Sequence, residues 1–121
     1  MKISCGTDII EIQRIKNSME RHEDGFKDQI FTQSEIEYCE SRKSAKYQHY
    51  AARFAAKEAI FKAISKYLDN DYTWKDFEVV REEDGKPVVV LKTDIPEIDS
   101  IDISLSHCKE YATANVVVLF K

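Results

Sequence analysis

Glycine is scarce in this chain, with three among 121 residues. A phosphate-cradling loop of the Walker type needs several glycines close together, and the sequence has none. Cysteine is sparse and unpaired: Cys5, Cys39 and Cys108 are scattered and odd in number, without the close spacing of a zinc or redox site. They read as reduced thiols of a cytosolic protein. A basic excess is missing too, because 18 Lys and Arg against 22 Asp and Glu leave a formal charge of −4. That excludes an extended nucleic-acid footprint and leaves room for a local basic face. No apolar run is long enough to cross a bilayer, and Lys2-Ile3-Ser4 follow the first residue where a leader would be apolar. The expectation is one cytoplasmic domain over residues 1–121, without repeats or low-complexity linkers, with neither nucleic acid nor membrane as partner.

What is present is organised in two halves. Residues 2–10 read as a strand with Gly6 near its middle, where glycine marks a close backbone approach or a bulge. A short helix over Ile12–Arg21 follows, ended near Gly25. Thr32-Gln33-Ser34-Glu35 is a capping box opening a helix to about Ser41. A long helix runs from about Lys46 to Tyr67, apolar nearly all round, as expected of a helix in the middle of a fold. Trp74–Val80 and Pro87–Leu91 are strand-like and joined through Glu83-Asp84-Gly85-Lys86, a hairpin signal. Residues 101–107 alternate, with Ile101, Ile103, Leu105 and His107 on one face; Val116–Phe120 reads as a strand buried on both faces. The class is α+β, a long central helix packed on a mainly antiparallel sheet.

The run Arg53-Phe-Ala-Ala-Lys-Glu-Ala-Ile-Phe-Lys62 carries most of the chemistry. At about 100° per residue, Phe54, Glu58, Phe61 and Lys62 share a face. A Glu–Lys pair at i, i+4 is ordinarily a solvated ion pair worth a few tenths of a kcal/mol. Here two aromatic rings flank the carboxylate, and burying a charge demands compensation. Asp8 is a second acid out of place, in a strand otherwise made of Ile and Cys; an exposed position opposite the apolar face would also accommodate it. Two carboxylates from different elements are what Mg²⁺ uses when phosphate oxygens and waters fill its other positions. His107 ends a strand on the apolar-facing phase, as a core histidine or a phosphate contact, and Ser104 and Ser106 beside it could donate to phosphate. Arg14 and Arg21 lie two turns apart on the first helix, a solvated face or a dock for an acidic partner. Glu35 is either a cap or a general base, and the cap explains it.

Together these pieces resemble one family. Gly6-Thr7-Asp8-Ile9-Ile10 with Arg14-Ile15, Phe31-Thr32 with Glu35, Arg53-Phe54-Ala55-Ala56-Lys57-Glu58-Ala59 with Lys62-Ala63, Asp84-Gly85-Lys86-Pro87, and Ser104-Leu105-Ser106-His107 with Tyr111-Ala112 run from end to end of the chain. The whole is similar to the holo-acyl-carrier-protein synthases, the short class of 4′-phosphopantetheinyl transferases. The resemblance implies transfer of 4′-phosphopantetheine from coenzyme A to a serine of an apo acyl carrier protein, with 3′,5′-ADP leaving. It implies Mg²⁺ held by Asp8 and Glu58, and Lys62 at the diphosphate. It places Arg53 and His107 near the 3′-phosphate, Gly85, Lys86 and Pro87 near the nucleotide, and Arg14, Arg21, Met19 and Phe26 at the carrier. It also implies a homotrimer with clefts between neighbours. Glu58, Glu35 or a metal-bound water would take the serine proton. Cys5, Thr7 and Cys108 depart from the family pattern without removing a role. The competing readings are another Mg²⁺-dependent phosphoryl or nucleotidyl transferase, and a non-catalytic trimeric module that docks an acidic protein.

Overall fold

A computed structural model describes residues 2–22, 24–68 and 71–121. Strand β1 (Lys2–Glu11) leads into helices α1 (Ile12–His22), α2 (Asp24–Ile30) and α3 (Gln33–Ser41), then a short 3₁₀ turn and the long helix α4 (Lys46–Ile64). Strands β2 (Phe77–Arg81), β3 (Pro87–Leu91), β4 (Ile98–His107) and β5 (Tyr111–Phe120) complete the chain. They form two antiparallel sheets, one ordered β1-β5-β4 and one made of the β2-β3 hairpin.

Helix α4 is the centre of the molecule. Of its 19 residues 11 are buried, six of them alanines, so small side chains face several neighbours at once. Ala55, Ala56, Ala59 and Ala63 are fully buried and lie with Ile60, Val116, Val118 and Phe120 in one core cluster. A second cluster joins α1 to α4 through Ile15, Met19, Phe31, Tyr50 and Ala51.

The alanines let the sheet come close, and Gly6 lets it come closer. A Cβ at Gly6 would sit 2.0 Å from the carbonyl oxygen of Ala59 and 3.2 Å from the amide nitrogen of Ala63. Glycine in mid-strand is therefore a close-approach residue, as the sequence suggested. The same register decides which β1 residues face the helix. Ser4, Gly6, Asp8 and Ile10 pair with the buried Val118, Val116, Ala114 and Ala112 of β5 and face inward; Ile3, Cys5, Thr7 and Ile9 face out.

Several expectations need correction. The long helix stops at Ile64 rather than Tyr67: the amides of Tyr67 and Leu68 both return to the Ile64 carbonyl, and Tyr67 turns onto Phe120 with ring centroids 5.0 Å apart. Gly25 does not close a helical region but is the second residue of α2, where its amide needs no helical partner. Trp74–Asp76 is a 3₁₀ turn, with the Thr73 amide donating to the Asp76 carboxylate at 2.8 Å, so the strand begins only at Phe77. Strand β5 is not buried on both faces: Val116, Val118 and Phe120 are covered by α4, while Val117 is 43% exposed.

Candidate active site

The acid pair forms where β1 meets α4. Asp8 is on the inward phase of its strand with a side chain only 16% exposed, so the exposed-strand alternative does not hold. Its Oδ1 accepts from Lys62 Nζ at 3.1 Å, and the same ammonium donates to the Thr7 carbonyl at 3.0 Å. Lys62 thus bonds across to β1, while Glu58, its helical neighbour at i−4, is in no ion pair among the described residues. The Glu58 carboxyl is held above its ordinary range, first by burial, then by the negative charge of Asp8, against a smaller pull from Lys62. The two carboxylates are therefore close enough for Asp8 to disfavour the ionised form of Glu58, while the ion pair of Lys62 is with Asp8. The wall beside them is aromatic: Trp74 stacks on Phe54 at 5.2 Å and receives Phe61 edge-on at 5.2 Å. Phe54 and Phe61, on the helical face that carries Glu58, are joined through Trp74 into one aromatic set. Among the described residues no group of three or more His, Cys, Asp and Glu converges on a point.

The opposite side of α4 is cationic. Arg53 is 1% exposed, and its Nε and Nη1 are buried without a hydrogen-bond partner. Its guanidinium lies 4.4 Å from the centre of the Tyr38 ring, and those of Arg42 and Arg81 lie 5.7 and 5.6 Å from the same ring. His49 meets Tyr38 edge-on at 5.4 Å and His107 at 6.4 Å. His107 is exposed, so it is not a core histidine. Burial, followed by the positive charges of Arg53, Arg42, Arg81 and His107, pulls the His49 imidazole down from 6.5 to about 4. Arg81 also donates to the Gly85 carbonyl at 2.6 Å and so ties this cluster to the β2-β3 turn. That turn is built by Gly85, whose φ of 87° is left-handed, and by Asp84, which accepts from the Lys86 amide at 2.9 Å. Lys86 pairs at 3.4 Å with the exposed Asp102.

Behind both sites is an ion pair that sequence reasoning missed. Lys57 is fully buried, and its ammonium donates to Glu35 Oε1 at 2.8 Å and to the carbonyls of Ile30 and Trp74 at 2.9 Å each. All three donors of an ammonium are thereby used. Glu35 Oε1 also accepts from the Thr32 amide, and Oε2 accepts from the Val79 amide at 2.8 Å. The capping box is present, and the residue in it also anchors β2. With both oxygens engaged and 1% exposure, Glu35 is unsuited to proton transfer, and the general-base alternative falls. A lysine among buried alanines of one helix was the available signal for Lys57.

Residues 4–116 match the 4′-phosphopantetheinyl transferase superfamily. The chain belongs to that family. A holo-[acyl-carrier-protein] synthase of Ruminiclostridium cellulolyticum is 46% identical over 98% of this chain and 92% of its own length. One of Geobacter sp. is 43% identical over 98% of both. The Helicobacter pylori holo-[acyl-carrier-protein] synthase in complex with coenzyme A has a TM-score of 0.83 at 28% identity, covering 95% of this chain and 99% of that one. A Bacillus anthracis holo-(acyl-carrier-protein) synthase in complex with CoA gives 0.80 at 34% identity, covering 95% and 94%. The α+β architecture with its long helix and antiparallel sheet is the architecture of these transferases.

The remaining family positions are distributed as follows. Arg14 and Arg21 are both exposed on α1, and Phe26 of α2 is half-buried, 6.2 Å from Phe54. Met19 is 8% exposed and packs in the α1–α4 core, so it offers almost no surface to a partner. Its spacing of four from Ile15 puts it on the buried stripe of α1. A groove of about 570 Å³ between Lys2, Tyr67, Pro96, Glu97, Phe120 and Lys121 lies at the other end of the sheet and contains none of these groups.

Proposed function

We propose that this chain transfers 4′-phosphopantetheine from coenzyme A to a serine hydroxyl of an apo acyl carrier protein, releasing 3′,5′-ADP, and so supplies holo carrier to fatty-acid synthesis. The observation that carries the site assignment is the meeting of Asp8, Glu58 and Lys62 at the β1–α4 contact. The donor set suits Mg²⁺, which takes one or two carboxylates and fills its other positions with phosphate oxygens and water. Asp8 and Glu58 would hold it; burial and the charge of Asp8 raise the proton affinity of Glu58 despite Lys62, and a bound divalent cation would offset both. Bound there, Mg²⁺ supplies neutralisation of the charge that grows on the diphosphate as the P–O bond breaks.

The chain's own groups do the rest. Lys62, steered by the Thr7 carbonyl and Asp8, presents an exposed ammonium to the same diphosphate. Arg53 and His107 take the 3′-phosphate, and the unpartnered Nε and Nη1 of Arg53 support this. Gly85, Lys86 and Pro87 border the nucleotide, linked to that side by Arg81. Arg14 and Arg21, with part of Phe26, receive the acidic carrier.

Arg53 and Glu58 are five residues apart, about 140° around α4, so the two halves of the coenzyme site face different directions within one copy. Ile3 is 68% exposed and Ile9 62%, on a sheet face that also shows Cys5 and Val117. Both facts support a homotrimer whose neighbours complete each other's clefts, with residues 1–121 acting as one unit per copy. No helix among the described residues is long and apolar enough to cross a membrane, and a cytoplasmic setting suits the substrates. Mass spectrometry of an apo carrier incubated with the chain, coenzyme A and Mg²⁺ tests the proposal: one added phosphopantetheine is expected, and an unmodified carrier would overturn it.

A further inference from the structure

The buried ammonium of Lys57 is hard to explain by stability alone. A buried ion pair seldom stabilises a fold more than apolar residues of the same volume would. What it adds is direction. One bond goes to the Ile30 carbonyl at the last residue of α2, one to Glu35 in the first turn of α3, and one to the Trp74 carbonyl in the turn before β2. Three segments are thereby fastened to one atom of α4. Two of them have little else to hold them in place, since α2 has 7 residues and the Trp74–Asp76 turn has 3.

Those two short segments also carry rings to the same residue of α4. Phe26 of α2 stacks on Phe54 at 6.2 Å, Trp74 stacks on Phe54 at 5.2 Å, and Phe61 meets Trp74 edge-on. All four rings are half-buried, so they form a ledge with an open side. Phe54 and Phe61 share the helical face of Glu58, so the ledge borders the acid pair. Its other end, Phe26, follows the exposed Arg14 and Arg21 of α1, which suit an acidic partner. A serine that approaches Glu58 brings its neighbours onto these rings.

We propose that Lys57 is a positioning residue for the carrier: from inside the fold it sets α2 and the Trp74 turn so that Trp74 receives an apolar side chain beside the carrier's serine. The inference rests on the transferase reading and on the place of Phe26 at the carrier. Lys57 itself is fully buried and acts only through the carbonyls it holds. Trp74 offers a broad apolar ring of low conformational freedom, the kind of group that anchors an interface.

The test separates position from stability. Lys57→Met alone strands a buried carboxylate, whereas Lys57→Met/Glu35→Gln removes both charges and keeps an acceptor for the Val79 amide, so stability returns and the fastening does not. In the double variant the carrier KM should rise at least about fivefold while the coenzyme A KM stays within about twofold. Trp74 is the one tryptophan of the chain, so with a tryptophan-free carrier its fluorescence reports the ledge. Acrylamide should quench it more in the double variant than in wild type, and apo carrier should protect it in wild type. Val118→Ala, a core truncation on the sheet side, should lower stability and change neither carrier KM nor quenching. Should the double variant fold poorly, Trp74→Leu at its half-buried site should raise the carrier KM to the same extent. Wild-type carrier KM in the double variant or in Trp74→Leu, a KM in Val118→Ala that rises with them, or Trp74 fluorescence unprotected by the carrier overturns the inference. If wild type still modifies the carrier in that case, the transferase reading survives; if wild type leaves the carrier unmodified, both fall.

Discussion

Replacing Gly6 by alanine tests the contact that brings the acids together. The new methyl group would start 2.0 Å from the Ala59 carbonyl oxygen, whereas ordinary contact begins at 3.4 Å. The obstacle is helix backbone and cannot rotate away, so strand and helix must separate locally by roughly 1 Å. Overpacking of this kind costs about 1–3 kcal/mol. Removing glycine from the unfolded chain returns about 0.4–1 kcal/mol, which leaves a net loss of about 1–2 kcal/mol. Asp8 is two residues along the same strand and shares the displacement, so its 3.1 Å bond to Lys62 lengthens and its carboxylate draws away from Glu58. A misplacement of about 1 Å at a reacting centre can lower a rate about 100-fold. Urea unfolding and initial rates of carrier modification measure the two effects. Gly25→Ala is the control: a Cβ there meets nothing within 4 Å, and in helix α2 alanine should be neutral or stabilising by up to about 1 kcal/mol. A Gly6→Ala protein with wild-type stability and wild-type rate would refute the close-approach argument.

Further outcomes follow from the other groups. Lys57→Met should lose about 3–5 kcal/mol in urea unfolding, because it leaves the Glu35 carboxylate buried and unpaired; a loss below about 1 kcal/mol would show the pair to be dispensable. Glu35→Gln should lower the unfolding midpoint while the folded enzyme keeps its pH–rate profile, and a vanished acidic limb would restore Glu35 as a base. Arg14→Glu should raise the KM for the carrier and leave the KM for coenzyme A alone; an unchanged carrier KM would remove α1 from the docking face. His49 is depressed in the fold, so the stability it contributes is present above pH 6.5 and is lost as pH falls towards about 4. A thermal-stability series over that window should fall more steeply for wild type than for His49→Asn, and parallel curves would contradict the burial of a neutral imidazole.

Much of the fold was legible because the signals were local. The capping box at Thr32–Glu35, the turn at Asp84-Gly85 and the alanine-rich helix each announce themselves within a few residues. The acids were legible by contrast, Asp8 against a strand of apolar residues and Glu58 between aromatic rings. The cation cluster was not: His49 and Arg53 are four apart on α4, and Tyr38 and Arg42 four apart at the end of α3, but no local pattern brings these two pairs to each other or to Arg81 and His107. The Lys57–Glu35 pair spans 22 residues and depends on burial that no periodicity encodes. Met19 shows the opposite error: an apolar residue next to a basic patch reads as a contact surface, yet the helical stripe it belongs to is the one that packs inward. The outer face of β1 and β5 misled for a related reason. Valine at both inward and outward positions of β5 looks like a strand buried twice, while one copy of the chain covers only the α4 side.

The metal pair is the central claim, and thermal unfolding with and without Mg²⁺ tests it most directly. Wild type should be stabilised by Mg²⁺, with a Tm that rises as the metal concentration passes its Kd. Glu58→Gln removes a carboxylate that burial and Asp8 hold in an unfavourable ionised form, so without metal it should be at least as stable as wild type at neutral pH. With Mg²⁺ its Tm should not move. A Glu58→Gln protein that gains as much from Mg²⁺ as wild type does would contradict the assignment of Asp8 and Glu58 as the metal's ligands.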